Sequence, residues 1–513
     1  MPVKWNPYIK AGAESWNKAF EKIGFKDVIC VKEFPKNDTL FNANSFDCMT
    51  IRYSASWLNS AQTTIHSDTR TGEILNASIL INANMISVQY ADRIGATVAI
   101  DPRVRTTVFP QEIQGELIQA AIAQAVGTGL GLTMNWGASC AYPVDSLRSA
   151  SFTQKYGLAS SVMGGVIIND VATEEDVRNG VCLVNTKPGP YDELVIKYLY
   201  QPIYASSLQE EKETLDSWIR EHTGDPYYAY IRNQSRFDSD PRNSRGSLGD
   251  DHLKSFDYML PNVRKGFENY YSWFAKEDRD FLMRRRVHSA LSERLSGRIY
   301  AILSYIGGIY LNDIREKDAI PSYSMVDREK QKAALSKALE LAKNLDWVDD
   351  TAHLNEFEIS DKKADRLRLD IFNGIFGRLP YVEVCTERFP DAAYTASEYL
   401  DDIYGIVWEG VLKHRPLENF ERALQTAFLE SIISTSTATA PIGSFKASKT
   451  GFAATGKPEI NLAALRNGGK VDMKMYSLQN AEEVAGFSSI PPIYTNQTKI
   501  AAYYLSLIHI SEP

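Results

Sequence analysis

Between Tyr8 and Ile23 the apolar residues Ile9, Ala13, Trp16, Ala19, Phe20 and Ile23 recur at helical spacing and share one face. Short β-type runs follow at Val28–Val31, Met49–Tyr53 and Ile74–Ile81, the last entered through the turn Arg70-Thr71-Gly72. Met85 to Ile94 and Gln111 to Val126 return to the helical period, the second with Ile113, Leu117, Ile118, Ile122 and Val126 on its apolar positions. From Gly127 to Gly165, glycine, serine and proline punctuate a stretch with little period of its own. Up to about residue 205 the pattern is therefore mixed α and β.

Beyond that point the pattern is helical. Leu208–Glu221, Lys254–Phe274, Lys276–Ile314, Asp327–Leu345, Lys362–Phe376 and Ser397–Ser434 each read as helices separated by loops containing Pro and Gly, with a small β element expected at Tyr227–Ile231. No repeat of fixed period emerges. The stretch from Thr435 to Gly469 is rich in Ser, Thr, Ala and Gly and is expected to be a loose excursion. The last eight residues, Ser506–Pro513, bear no relation to the rest and are read as a non-native tail, so His509 is given no functional weight. The expected organisation is α+β: a mixed domain over 1–205, a mainly helical domain over 206–435, and a loose extension over 436–505.

Length, 513 residues, fits two or three domains, and 44% hydrophobic against 23% charged residues is the balance of a folded globular chain. The net charge of −8 and the absence of a long basic stripe argue against a nucleic-acid partner. The densest basic cluster, Arg284-Arg285-Arg286, reads as a solvated turn of helix beside Asp278 and Asp280. The most apolar run, Ile299 to Leu311, is too short for the roughly 20 residues of a membrane span and reads as a buried helix. No apolar stretch near Met1 has the form of a signal peptide. Cys30, Cys48, Cys140, Cys182 and Cys385 are scattered and odd in number, which fits neither a zinc knuckle nor a disulfide framework.

The chemistry is expected where the helix beginning at Gln111 runs into Gly127, Gly129 and Gly131. Glycine costs about 1 kcal/mol in a helix interior, so three in alternation mark a forced stop and a sharp turn. That layout is similar to H-E-x-x-H-x-x-G-x-x-H, in which two histidines on one helix face and a third beyond a glycine turn bind zinc, and the glutamate is the general base. With its glycine at Gly131, the register puts Gln124, Ala125, Thr128 and Met134 at the four chemical positions. The turn is kept and the zinc chemistry is not.

The flanks carry the likeness further. Pro2 to Phe25, Asp68-Thr-Arg-Thr-Gly-Glu-Ile-Leu-Asn-Ala-Ser78, Asp101-Pro-Arg-Val-Arg105, Gly137 to Ala150, Phe152-Thr-Gln-Lys-Tyr-Gly157 and Gly189-Pro-Tyr-Asp192 resemble a family of large exported bacterial zinc-dependent metalloproteases of metzincin type, and the likeness extends over about residues 2 to 500. The resemblance implies a metzincin-like domain over 1–205, an exported parent protein truncated here at both ends, and zinc as the family's cofactor. It implies that Met163 is the methionine of the Met-turn, followed here by Gly164 and Gly165 where the family usually continues Asp-Tyr. It also implies that Asn76, Ala77, Ser78, Ile79, Leu80 and Ile81 form the edge strand that receives a peptide. Alternation of Ala77, Ile79 and Ile81 against their polar neighbours and Leu80 fits a strand with one buried face.

No other site offers itself as a replacement. His66, His222, His252, His288, His353 and His414 include no pair three or four residues apart, and His66-Ser-Asp68 reads as a surface turn. Gln124 and Thr128 share a helix face and can bond to one another, but neutral amide and hydroxyl oxygens are poor zinc ligands. Ser139 and Cys140 have no histidine beside them in sequence to serve as base. The expected function is that of a pseudoprotease that binds no zinc and keeps a cleft for a peptide or protein partner. The alternatives are a residual or rearranged peptidase activity and a non-functional or structural fragment.

Overall fold

The chain opens with two short helices, α1 (Asn6–Glu14) and α2 (Asn17–Lys22), where the pattern predicts one. Pro7 starts α1 in the first turn, where its missing N–H costs nothing. The break falls at Ser15–Trp16, and the buried indole of Trp16 donates from Nε1 to the carbonyl of Ala123 at 2.8 Å. The computed structural model describes residues 2–438, apart from 36, 39–40, 44, 47, 232–238, 244–246, 313, 315–317, 319, 351 and 354–361, together with 446–448 and 451–453. Of the expected loose extension, the end of a helix at Ala438 and an antiparallel pair, Lys446–Ser448 with Gly451–Ala453, are described. The remainder of 436–505, and 506–513 with His509, lie outside the described residues.

Three strands form one sheet in the order β1-β3-β2: β1 (Thr50–Ser54), β2 (Ala61–Ser67) and β3 (Ile74–Asn82). β3 is central, parallel to β1 with Ile51 beside Ile79, and antiparallel to β2 with Thr63 beside Ile79. The β2–β3 turn is closed by Asp68, whose carboxylate accepts from the Arg70 backbone and guanidinium. Val28–Val31, predicted as a strand, is not one. Its backbone is satisfied by side chains of the first helices instead: Asn17 bonds both N–H and C=O of Ile29, and Glu14 accepts from Val31 N–H. That local supply competes with sheet pairing.

Two longer helices follow, α3 (Ala83–Thr97) and α4 (Gln111–Gly129). Trp5, Ile9, Ile81, Met85, Ile118 and Ile122 meet in one core between helices and sheet. Trp16, Phe20, Ala123, Leu132, Met163 and Ile196 form a second, adjoining core. The irregular stretch to Gly165 holds short turns and α5 (Ala150–Tyr156), and it is followed by α6 (Glu174–Arg178), α7 (Pro190–Tyr200) and α8 (Leu208–Arg220). The β element expected at Tyr227–Ile231 is a 3-10 turn, Pro226–Tyr228, followed by extended chain that the side chain of Asn135 clamps at Ala229 O and Ile231 N.

The remaining helices are α9 (His252–Phe274), α10 (Leu282–Leu303), α11 (Arg328–Lys343), α12 (Lys363–Gly377), α13 (Leu379–Arg388), α14 (Ala396–Val407), α15 (Glu409–Leu412) and α16 (Asn419–Ala438). The predicted helix Ser397–Ser434 is thus three, interrupted near His414, whose φ is +50°, and Pro416. Within Ile299–Leu311 the helix stops at Leu303, and Ile309–Leu311 is a strand. The basic cluster is not a uniformly solvated face either. Arg284 is buried against Asp278, which also caps the start of α10 by accepting from the N–H groups of Met283 and Arg284. The five cysteines are free. No described helix is long and apolar enough to cross a membrane.

The chain divides into two compact units, the first comprising Met1–Ile302, Ile309–Ser324 and Asp350–Ile359, the second Leu303–Gly308, Met325–Asp349 and Ser360–Pro513. The first unit takes in α9 and nearly all of α10, which supply parts of its interior. Asn262 on α9 donates to the carbonyls of Asp170 and Ala172, and Arg294 and Arg298 on α10 close on the Asp170 carboxylate. In the second unit Leu335, Leu339, Ile371, Phe372, Ile375 and Phe428 are buried, and Tyr399 donates from its hydroxyl to Ile375 O.

Candidate active-site cleft

The end of α4 is built by hydrogen bonds that the sequence pattern only outlines. Leu132 N–H reaches Gly127 O at 3.0 Å and Gly131 N–H reaches Thr128 O at 2.9 Å, the paired bonds of a Schellman cap. Gly131 supplies the left-handed residue that this cap needs, with φ +92°. The helix runs through Gly127 rather than stopping before it. A Cβ there would lie 2.5 Å from the Trp16 ring and 2.6 Å from Met163 Sδ, so Gly127 is a point of close approach between α4 and the core beneath it.

Gln124, Ala125, Thr128 and Met134 line one cavity of about 490 Å³, together with residues of β2, α3 and the segment from Gly164 to Ile168. The four positions taken from the zinc pattern are therefore brought together. Gln124 Nε2 donates to Met134 Sδ at 3.1 Å, which points the amide's donor end at the thioether. Thr128 does not bond to the Gln124 side chain as expected. Its hydroxyl donates to the main-chain carbonyl of Gln124 at 3.3 Å, the usual outlet for a threonine inside a helix. Ala125 O accepts from Thr63 Oγ1 at 3.0 Å, which ties β2 to α4. An amide, a hydroxyl and a thioether do not fit catalytic zinc, which takes imidazole, carboxylate or thiolate ligands. The methyl group of Ala125 can accept no proton. Among the described residues no group of three or more His, Cys, Asp or Glu side chains could hold a metal ion.

Met163 is fully buried in the turn Val162–Gly164 beneath α4. Its N–H donates to Ser161 Oγ at 2.9 Å, and its carbonyl accepts from Asn135 N–H at 3.1 Å. The turn is anchored by Asp192 at the start of α7. Ser161 Oγ donates to Asp192 Oδ1 at 2.5 Å, and Asp192 Oδ2 accepts from Val162 N–H and Gly189 N–H, both at 2.9 Å. Burial pushes the Asp192 pKa up to about 7, against the bonds from Ser161, Gly189 and Val162 that favour the carboxylate. Gly189-Pro-Tyr-Asp192 is a helix start legible in the sequence, with proline in the first turn and a capping side chain three residues on, but its hold on the Met163 turn, 30 residues away, is not.

The expected peptide-binding edge is corrected. Asn76, Ala77, Ser78, Ile79, Leu80 and Ile81 lie on β3, which is paired on both sides and has no edge to offer. The strand bordering the cleft is β2, whose Ala61 and Thr63 line the cavity beside Asn59 and Ser60. Ser139 and Cys140 are buried, and each lies within hydrogen-bonding distance of Ser247 Oγ. Burial pushes the Cys140 thiol pKa up, away from the thiolate a nucleophile requires. His66 is exposed on β2 against Phe46, and the neighbouring Asp68 is held by Arg70. Arg294, from α10, also lines the cavity. Nothing local in the sequence announces it.

The Met-zincin family model matches residues 106–415, a span that includes all of α4, its glycine turn and the helices through α15. The chain belongs to the Met-zincin family. No curated protein and no solved structure matches it. This Met-zincin is metalloprotease-like, and at the end of α4 it has a glycine turn beside a cavity lined by Gln124, Ala125, Thr128 and Met134, whose side chains do not fit zinc.

Proposed function

We propose that this Met-zincin is a pseudoprotease that holds an extended peptide, or an extended segment of a protein partner, in its cleft without cleaving it. The observation that carries the reading is the set of groups at the chemical positions: amide, methyl, hydroxyl and thioether line one cavity, and the amide is bonded to the thioether. Hydrolysis of the family type needs a polarised water and a base to take its proton. Gln124, Ala125, Thr128 and Met134 offer neither. Peptide capture makes no such demand, because a strand is added through main-chain donors and acceptors that survive any loss of zinc ligands. Among the described residues β2 is paired to β3 on one side only, and it borders the cavity. The resemblance to exported bacterial metalloproteases supports a setting outside the cytoplasm.

A degenerate peptide array and a casein digest, titrated against the purified protein with product analysis, test the proposal. The expected result is binding without new cleavage products. N-methylation of alternate peptide amides should abolish binding in one phase of the alternation and spare it in the other. Cleavage of the bound peptides, or no capture by the folded protein, would contradict it.

A further inference from the structure

The cavity is lined mainly by neutral groups, but α10 brings a cation to it. Among the described residues that line it, Arg294 carries the one positive charge. Its Nε donates to Asp170 Oδ2 at 2.6 Å and its Nη2 to Ile168 O at 3.3 Å, which fixes the guanidinium plane, and Nη1 has no hydrogen-bond partner among the described residues. Asp170 is completely buried, and Arg298, also buried, donates to the same carboxylate through Nε and Nη2. Arg298 Nη1 is buried with no hydrogen-bond partner among the described residues. Two guanidinium groups thus share one carboxylate, and the cluster holds one positive charge in excess. A charge left uncompensated in a poorly solvated place is costly, and an arriving anion removes that cost. Asp92, which also lines the cavity, is exposed and already engaged in a contact of its own. Arg294 is the better placed of the two to act on a ligand: its side chain is 18% exposed, enough to be reached from the cavity and too little to be fully hydrated.

We infer that the cleft selects for a carboxylate, presented by an acidic side chain or by the C-terminus of the bound peptide and received by Arg294. The inference rests on the peptide-binding reading and adds the class of ligand to it. The guanidinium presents planar donors that suit a carboxylate, and its attachment to Asp170 and Ile168 O means that little side-chain freedom is lost on binding. A hydrogen bond to a charged group in such a setting corresponds to about tenfold or more in affinity.

The experiment uses calorimetric titration of the full chain with four pools of degenerate peptides. One position is fixed as Glu or Gln, and the C-terminus is free or amidated, in all combinations. Wild type should bind at least one carboxylate-bearing pool about tenfold more tightly than the doubly neutral pool. The Glu and free-C-terminus arms tell which source supplies the carboxylate. Added salt should narrow the difference. Arg294→Gln should remove the discrimination while neutral peptides still bind, and Arg294→Lys should keep part of it. Asp170 retains Arg298 in both variants, and melting curves verify that they fold. Should either fail to fold, the four-pool comparison on wild type decides alone. Equal affinity for all four pools, or discrimination unchanged in Arg294→Gln, overturns the inference and leaves the peptide cleft standing. Binding of no pool overturns both.

Discussion

Gly127 carries two opposed consequences in one residue. Alanine in its place would gain about 1 kcal/mol of helix propensity. It would also drive a methyl group into the Trp16 ring and Met163 Sδ, both buried and neither able to swing out to solvent. Overpacking of this kind costs about 1–3 kcal/mol, so Gly127→Ala should lower the midpoint of urea unfolding rather than raise it. Asp192 has a comparable tension. Its folded pKa of about 7 lies above the ordinary value of 3.8, so the folded state binds the extra proton between those limits. Its contribution to stability is fully present below about pH 4 and is lost as the pH rises towards 7. Glu383, pushed up to about 7 by burial and by the neighbouring Glu387, slopes the same way in the second unit. Asp192→Asn, which presents an amide where the protonated carboxyl presents O–H, should remove Asp192's share of the slope. Urea titrations of wild type and variant at a series of pH values should converge as the pH rises from 4 to 7 if wild type is the more stable at pH 4.

At the scale of elements, β3 is the instructive case. Alternating Ala77, Ile79 and Ile81 describes a strand with a buried face, and that much is legible in the chain. Whether such a strand is central or at an edge depends on partners from residues 50–54 and 61–67, and no local pattern states it. Ile79→Pro therefore cannot serve as a probe of peptide capture. It removes a ladder N–H and a buried side chain from the middle of the sheet, and should cost about 4 kcal/mol or more and abolish cooperative melting of the first unit. Melting with intact cooperativity would put β3 back at an edge. The helices were legible wherever an apolar face ran long, as in α4 and α9, and illegible where a single residue breaks them, as at Trp16 and His414. The strand expected at Val28–Val31 was lost to Asn17 and Glu14, whose side chains reach its backbone first.

For the molecule as a whole, the helix ending in a glycine turn was legible because it is local: a helix period, then Gly131 in the left-handed conformation. Gln124, Thr128 and Met134 line one cavity there. Arg294 and the Asp170 cluster were not legible, since 124 residues separate the partners. The same long-range contacts carry the first unit on to Ile302. One run that carries the family likeness, Asp101 to Arg105, has a structural role: Asp101 pairs with Arg93 and Arg103, and Arg105 lies 3.9 Å over the Trp273 ring. Such residues hold a scaffold together whether or not it hydrolyses anything. The central claim is that this scaffold is intact and its zinc site is not, and metal analysis of the purified protein beside the variant Gln124→His, Ala125→Glu, Thr128→His, Met134→His tests it most directly. The account predicts no stoichiometric zinc in the wild type and a melting temperature indifferent to chelator, with stoichiometric, chelator-sensitive zinc in the variant. Stoichiometric zinc in the wild type, or a folded variant that takes up none, would contradict it.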